Sequence, residues 1–143
     1  METSLLDLHL NELEEPAPVP GGEQYELKVL KAELMRNKND TRNMIRLIAE
    51  IQDQPSAPSV FDYMNLPTKE DTAKAVYMFK KKIKDFCDAV GLDSSDPGTP
   101  VEVAGSDLLT YVDWKGLSGF AILEHDTFEG RESNKIVTWI IPK

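Results

Sequence analysis

From Tyr25 the chain alternates: Tyr25, Leu27 and Val29 are separated by Glu26 and Lys28, the period of two that a half-buried strand requires. After Val29 the apolar phase moves to Leu30, Ala32 and Leu34, and a strand that changes face midway predicts a bulge or a bend between two sheets. The stretch RNKNDTRN, residues 36–43, has no apolar side chain. Beyond it Ile45, Leu47, Ala49 and Ile51 line one side of a second strand, with Arg46, Ile48 and Glu50 on the other. The two strands predict an antiparallel hairpin with a long polar loop. DQPSAPS then breaks the chain before VFDYMNL, residues 60–66, a third short strand that presents Phe61 and Tyr63 on one face.

The period changes again after Pro67. Thr68 is the expected N-cap of a helix, with Glu70 and Asp71 in its first turn, where negative charge complements the helix dipole. Ala73, Val76, Tyr77, Phe79, Ile83, Phe86, Cys87 and Val90 keep helical spacing, and Gly91 is the natural stop. Lysines 80, 81, 82 and 84 read as a solvated face of that helix. DSSDPGTP, residues 93–100, is a loop, and SDLLTYVDW is either a short helix capped by Ser106 or an irregular approach to the next strand. GFAILEH (119–125) and KIVTWIIP (135–142) are two further strands flanking DTFEGRESN, a second long-looped hairpin with Gly130 in its turn.

Before all this lies a short leucine pattern (Leu5, Leu6, Leu8, Leu10, Leu13) and then EEPAPVPGG, whose prolines and glycines end any helix. Residues 1–22 therefore read as a flexible acidic arm with a Pro/Gly linker. Residues 23–143 read as one domain, since 143 residues leave room for a single compact unit with a sizeable core. The order of three strands, one long helix and two strands makes the fold mainly β and is that of a five-stranded OB-fold barrel, with its helix between strands three and four. In that architecture the loops joining strands one to two and four to five, with the face of strands two and three, form the binding groove for oligonucleotides or oligosaccharides.

Charge sharpens the picture once it is divided along the chain. The net charge of −9 is the sum of −6 over residues 1–24, +2 over 25–92 and −5 over 93–143. Screening confines the influence of a surface charge to about 8 to 10 Å, so the local balance decides what the middle of the chain attracts. Both predicted hairpin loops carry cations, Arg36, Lys38 and Arg42 in the first and Arg131 and Lys135 in or beside the second. Arg46 lies on strand two opposite its apolar row. Binding a single strand without strong sequence choice takes positive charge along the backbone path and flat side chains on which bases stack. Phe61, Tyr63 and Trp114 are the candidate platforms, whereas Trp139, set among Ile136, Val137, Ile140 and Ile141, reads as core.

Other chemistries find little support. Neither His9 nor His125 belongs to an HExxH motif, and GxSxG, GxxxxGK and GxGxxG are lacking too, so no enzyme class is indicated. No cluster has the spacing of a metal site, no cofactor motif occurs, and the single cysteine, Cys87, sits in the apolar stripe of the helix as a small buried hydrophobe. No apolar run approaches the roughly 18 to 20 residues of a membrane span, and no signal-peptide pattern opens the chain, which places the expected location in the cytoplasm.

The stretches GEQYELKVLKAE and NKNDTRNMIRLIAEI, then FDYMNL, FCDAVGL, GFAIL and EGRESNKIVTWI, in this order from about residue 20 to 143, resemble a phage-encoded family found among DNA-replication genes. Its members are treated as OB-fold single-stranded-DNA-binding proteins. The resemblance implies binding and protection of single-stranded DNA during phage replication or recombination, in the host cytoplasm. Many phage proteins of that class carry an acidic tail at the C-terminus that recruits replication partners. Here the acidic arm is N-terminal, and replication proteins are its expected partners. A homo-oligomer would add avidity through linked grooves. The alternative reading is a protein–protein interaction module, a small acidic barrel that binds a replication or host protein without DNA contact, and a third is a DNA mimic.

Overall fold

Residues 17–142 are described by the computed structural model of the protein. They form one mainly antiparallel sheet and one long helix: β1 (Glu23–Arg36), β2 (Asn43–Ile51), β3 (Val60–Asn65), α1 (Ala73–Val90), β4 (Leu109–Thr110), a single 3-10 turn (Val112–Trp114), β5 (Ser118–Phe128) and β6 (Arg131–Trp139). The strand order is β3-β2-β1-β5-β6, with the two-residue β4 paired to β1. The sheet is six-stranded and open rather than a closed five-stranded barrel. β3 and β6 are its two edges, and they curl toward each other beneath α1.

The phase change of β1 has the predicted cause. Its pairing with β2 shifts register between Val29 and Lys31, so Leu30 is the extra residue of a bulge. The bulge lets one strand serve two partners along its other edge: residues 23–28 pair with β5, and Glu33 and Leu34 pair with β4. Between them the Gly116 amide donates to Val29 O and the Tyr111 amide to Ala32 O, so the connection from β4 to β5 is stitched along the bend. Leu27, Val29, Ala32, Ile45, Leu47, Ala49, Val60 and Met64 point inward to a core closed by Phe86, Trp114 and Trp139. Phe86 touches both tryptophans, at ring-centroid distances of 5.1 and 5.2 Å. Gly119 lets the helix approach this closely, because a Cβ there would lie 2.7 Å from the Ala89 carbonyl oxygen.

Three local expectations are corrected. The helix is capped not by Thr68 but by Thr72, whose hydroxyl accepts from the Ala75 amide, because Asp71 is drawn out of the helix by Arg42 and by the Thr68 amide. The second hairpin has no long loop. Glu129 and Gly130 both adopt positive φ, 50° and 77°, as a two-residue type I′ turn demands, so β5 and β6 continue almost to the tip. The ambiguous segment after residue 100 is β4 and the 3-10 turn, not a helix capped by Ser106.

The arm and linker expected over residues 1–22 fall partly outside the described residues, but 17–22 belong to the folded unit. Val19 is buried, its amide donates to Asn134 Oδ1 and its carbonyl accepts from Asn134 Nδ2. The Ala17 amide donates to Ser56 O and the Gly22 amide to Leu123 O, tying this segment to the β2–β3 connection and to β5. No helix among the described residues is long and apolar enough to cross a membrane.

Candidate functional site

The cations singled out in the first hairpin are largely spent on internal partners. At the β1–β2 tip, Asn37 Oδ1 accepts from the amides of Thr41 and Arg42, which fixes the loop. Arg36 donates from Nε to Asp40 Oδ1 at 2.8 Å and from Nη2 to the Asp40 carbonyl. Arg42 grips Asp71 with both terminal nitrogens, at 2.9 and 2.8 Å, donates to Leu66 O, and lies 4.8 Å over the Phe79 ring. The Arg42 hydrogen bonds, aided by the Thr68 amide, hold the Asp71 carboxyl far below the usual carboxylate range. Arg42 is thus a clasp between the loop and the approach to α1. Lys38 is the cation of this loop that has no ion pair among the described residues.

Arg131 and Lys135, on the β6 side of the second hairpin, also lack ion pairs among the described residues. β5 passes the start of β1 at the pair Glu23–Leu123, and from Glu124 to Lys135 the β5–β6 hairpin runs on as a ribbon. The β1–β2 loop lies at the other end of β1, beyond the pair Arg36–Asn43. By register, the two tips extend beyond opposite ends of the bent strand β1. The ribbon also holds four acids, Glu124, Asp126, Glu129 and Glu132, against its two bases, so its local field favours cations.

Trp114 is corrected outright as a stacking platform. It is 1% exposed, its Nε1 donates to Pro97 O at 2.7 Å, and Tyr111 stacks on it at 4.4 Å. Trp139 is core, as its apolar neighbours indicated.

The remaining candidates converge on one surface. On β3 the inward residues are Val60, Asp62 and Met64, which leaves Phe61 and Tyr63 pointing outward, 49% and 45% exposed. Cross-strand register aligns them with two rows. Lys31 of β1, Ile48 of β2 and Phe61 of β3 form one row; Thr110 of β4, Glu33, Arg46 and Tyr63 form the other. Arg46 donates from Nη2 to Glu33 Oε1 at 2.6 Å, and Lys31 Nζ is 3.3 Å from Glu33 Oε2. At the outer border of β3, Lys82 of α1 donates to Asp62 Oδ1 and to the Tyr63 carbonyl, at 3.0 and 2.9 Å. Two exposed rings thus stand beside the cations of β1 and β2, whereas Lys82 pairs with Asp62, which faces inward from β3.

The sequence alone does not assign Lys31, Ile48, Glu33 or Lys82 to a site, although it places Ile48 beside Arg46 on the outer side of strand two and Lys82 on a solvated helix face. The phase change at Leu30 contained the signal for the β1 residues, since a bulge there turns Lys31 and Glu33 outward. Nothing in the helix pattern distinguishes Lys82 from its lysine neighbours. Among the described residues no group of three or more His, Cys, Asp or Glu side chains is arranged to hold a metal ion.

A comparison with curated proteins finds no match. A family described as a protein of unknown function, DUF669, matches residues 6–118, which takes in β1 through β4, α1 and the whole outward face just described, and stops at the first residue of β5. With most of its length inside that match, the chain belongs to the DUF669 family.

Proposed function

We propose that the protein is a non-enzymatic single-stranded-DNA-binding protein, acting in phage DNA replication or recombination, whose binding surface is the outer face of β1, β2 and β3. The observation that carries this reading is the exposure of Phe61 and Tyr63 on one face, in register with Ile48 and Arg46. Side chains two residues apart on a strand stand about 6.6 Å apart. That is about twice the 3.4 Å rise of a strand within a duplex, so neighbouring stacked bases cannot occupy both rings, whereas an unstacked single strand can. Lys31 and Arg46 border the rings and, with the single carboxylate of Glu33 between them, leave net positive charge for the backbone. Strand order and the place of α1 support an OB-type plan in which β4 is an added bridge, and in such folds this sheet face binds oligonucleotides. The face also lies within the span matched by the family, whereas nearly all of the β5–β6 hairpin lies outside it.

The test is photocrosslinking to a 4-thiothymidine-substituted oligothymidylate followed by peptide mapping. Adducts in residues 60–65 and in β2 are expected; adducts confined to the 124–135 ribbon would move the site and refute this surface.

A second reading, a protein–protein interaction module, draws on the engagement of Arg36, Arg42 and Arg46 by carboxylates and on the acidic ribbon. It predicts no oligothymidylate binding at low salt and capture of a replication protein by the same exposed rings.

A further inference from the structure

Glu33 shares the outward phase of Lys31 and is nevertheless only 2% exposed. A carboxylate withdrawn from water needs compensation from hydrogen bonds and opposite charge. Burial by itself raises its pKa, but the hydrogen bonds from Arg46 and Lys31 outweigh that, and the carboxyl is held below its ordinary range. At neutral pH the cluster therefore carries one negative charge between two positive ones. The two cations are not buried with it: the side chains of Arg46 and Lys31 keep 30% and 46% of their surface in solvent. Arg46 gives Nη2 to Glu33, while its Nε is buried without a partner.

We infer that Glu33 is a built-in counter-anion of this face: it positions Arg46 and Lys31 beside the Phe61–Tyr63 platform and competes with an incoming phosphate for the same two cations. The inference rests on the reading of the face as a single-stranded-DNA site. A phosphodiester approaching Arg46 meets donors already shared with a carboxylate that cannot leave, because Glu33 is anchored in the sheet with Thr110 opposite it on β4. Its negative charge repels the phosphate while its partners attract it. The result is a face of restrained affinity from which DNA is released at moderate salt. Such restraint suits a protein that must give up its strand to other enzymes.

The experiment is a salt titration of a fluorescent oligothymidylate with full-length protein, wild type against Glu33→Gln. Glutamine keeps the shape and an acceptor oxygen for Arg46 Nη2, so it isolates the charge. One unit charge about 5 Å from a phosphate in a high-dielectric setting predicts binding tighter by roughly 3- to 10-fold at low salt. The salt slope should steepen by about 0.7, the value for one further counterion released from a single strand. Wild-type binding with equal or weaker binding by E33Q, at unchanged slope, overturns the counter-anion and leaves the site standing. If neither protein binds at low salt, the site reading fails and the inference goes with it. Should E33Q not fold, R46Q against E33Q/R46Q gives the same comparison, with the carboxylate facing Lys31 alone. The double variant must then bind tighter than R46Q, and equality overturns the proposal.

Discussion

Removing both rings, Phe61→Ala with Tyr63→Ala, gives the most direct measure of the proposed face. Both side chains project from the outer side of β3 and take no part in the core cluster, so their loss opens no cavity. Stability should change little, within the few tenths of a kcal/mol typical of surface positions, to about 0.5. Binding should change a great deal, because a stacked base contributes roughly 1 to 3 kcal/mol. The rings are neighbours and their effects need not add. Even one platform at the lower end of that range, with a partial contribution from the other, predicts a loss of about tenfold, the equivalent of 1.4 kcal/mol. The salt dependence is the finer discriminator. Stacking releases no counterions, so the double variant should keep the wild-type slope. Lys31→Gln should instead flatten the slope by about 0.7, and its deficit should shrink about 2.6-fold between 50 and 200 mM salt. The assay is fluorescence anisotropy of a labelled oligothymidylate across that range, with circular dichroism as the check on folding. A folded double variant that binds with wild-type affinity and slope would refute the reasoning, since no base could then rest on β3.

Three further outcomes follow from the packing. Gly119→Ala should destabilise the protein by about 1 to 3 kcal/mol, read by denaturant melts, because its Cβ would meet the Ala89 carbonyl oxygen at 2.7 Å and α1 must move away. The Asp71 carboxyl, held low chiefly by the Arg42 hydrogen bonds, contributes stability that is complete above the unfolded value of about 3.9 and lost as pH falls toward its folded value. The acid limb of the stability profile below about pH 4 should therefore flatten in Arg42→Gln. Cys87 is fully buried, and desolvation pushes its thiol pKa up, so a thiol reagent at pH 8 should label it only after unfolding; prompt labelling of the native protein would contradict the placement of α1.

The elements were legible where one face of each is buried. The alternation of β2 and β3, the phase slip of β1 and the glycine stop at Gly91 each follow from a local rule, and the structure obeys them. The β5–β6 turn reads as a long loop because the residues on either side of Glu129–Gly130 are polar, although they are the paired strands of a ribbon that faces solvent. The candidate site was legible only by residue type. Phe61 and Tyr63 shared a face in the sequence, but which way that face turned depended on Asp62, a charged residue whose inward position is made possible by Lys82 reaching across from α1. The cationic loop misled for a related reason. Arg36 has its partner Asp40 four residues on in the same loop, but Arg42 looks free when read along the chain, and its partner Asp71 becomes visible only when distance replaces sequence separation.

The clasp between Val19 and Asn134 fixes where the protein can be cut. A truncation meant to strip away the acidic leader must stop by residue 16. Ending it at residue 20 would excise Val19 and strip the buried Asn134 amide of the donor to its Oδ1 and of the shorter of its two Nδ2 acceptors, leaving it the Glu124 carbonyl alone. Any weakened DNA binding by such a fragment would then report damage to the β5–β6 scaffold rather than a role for the leader, so the choice of start codon decides what the experiment measures.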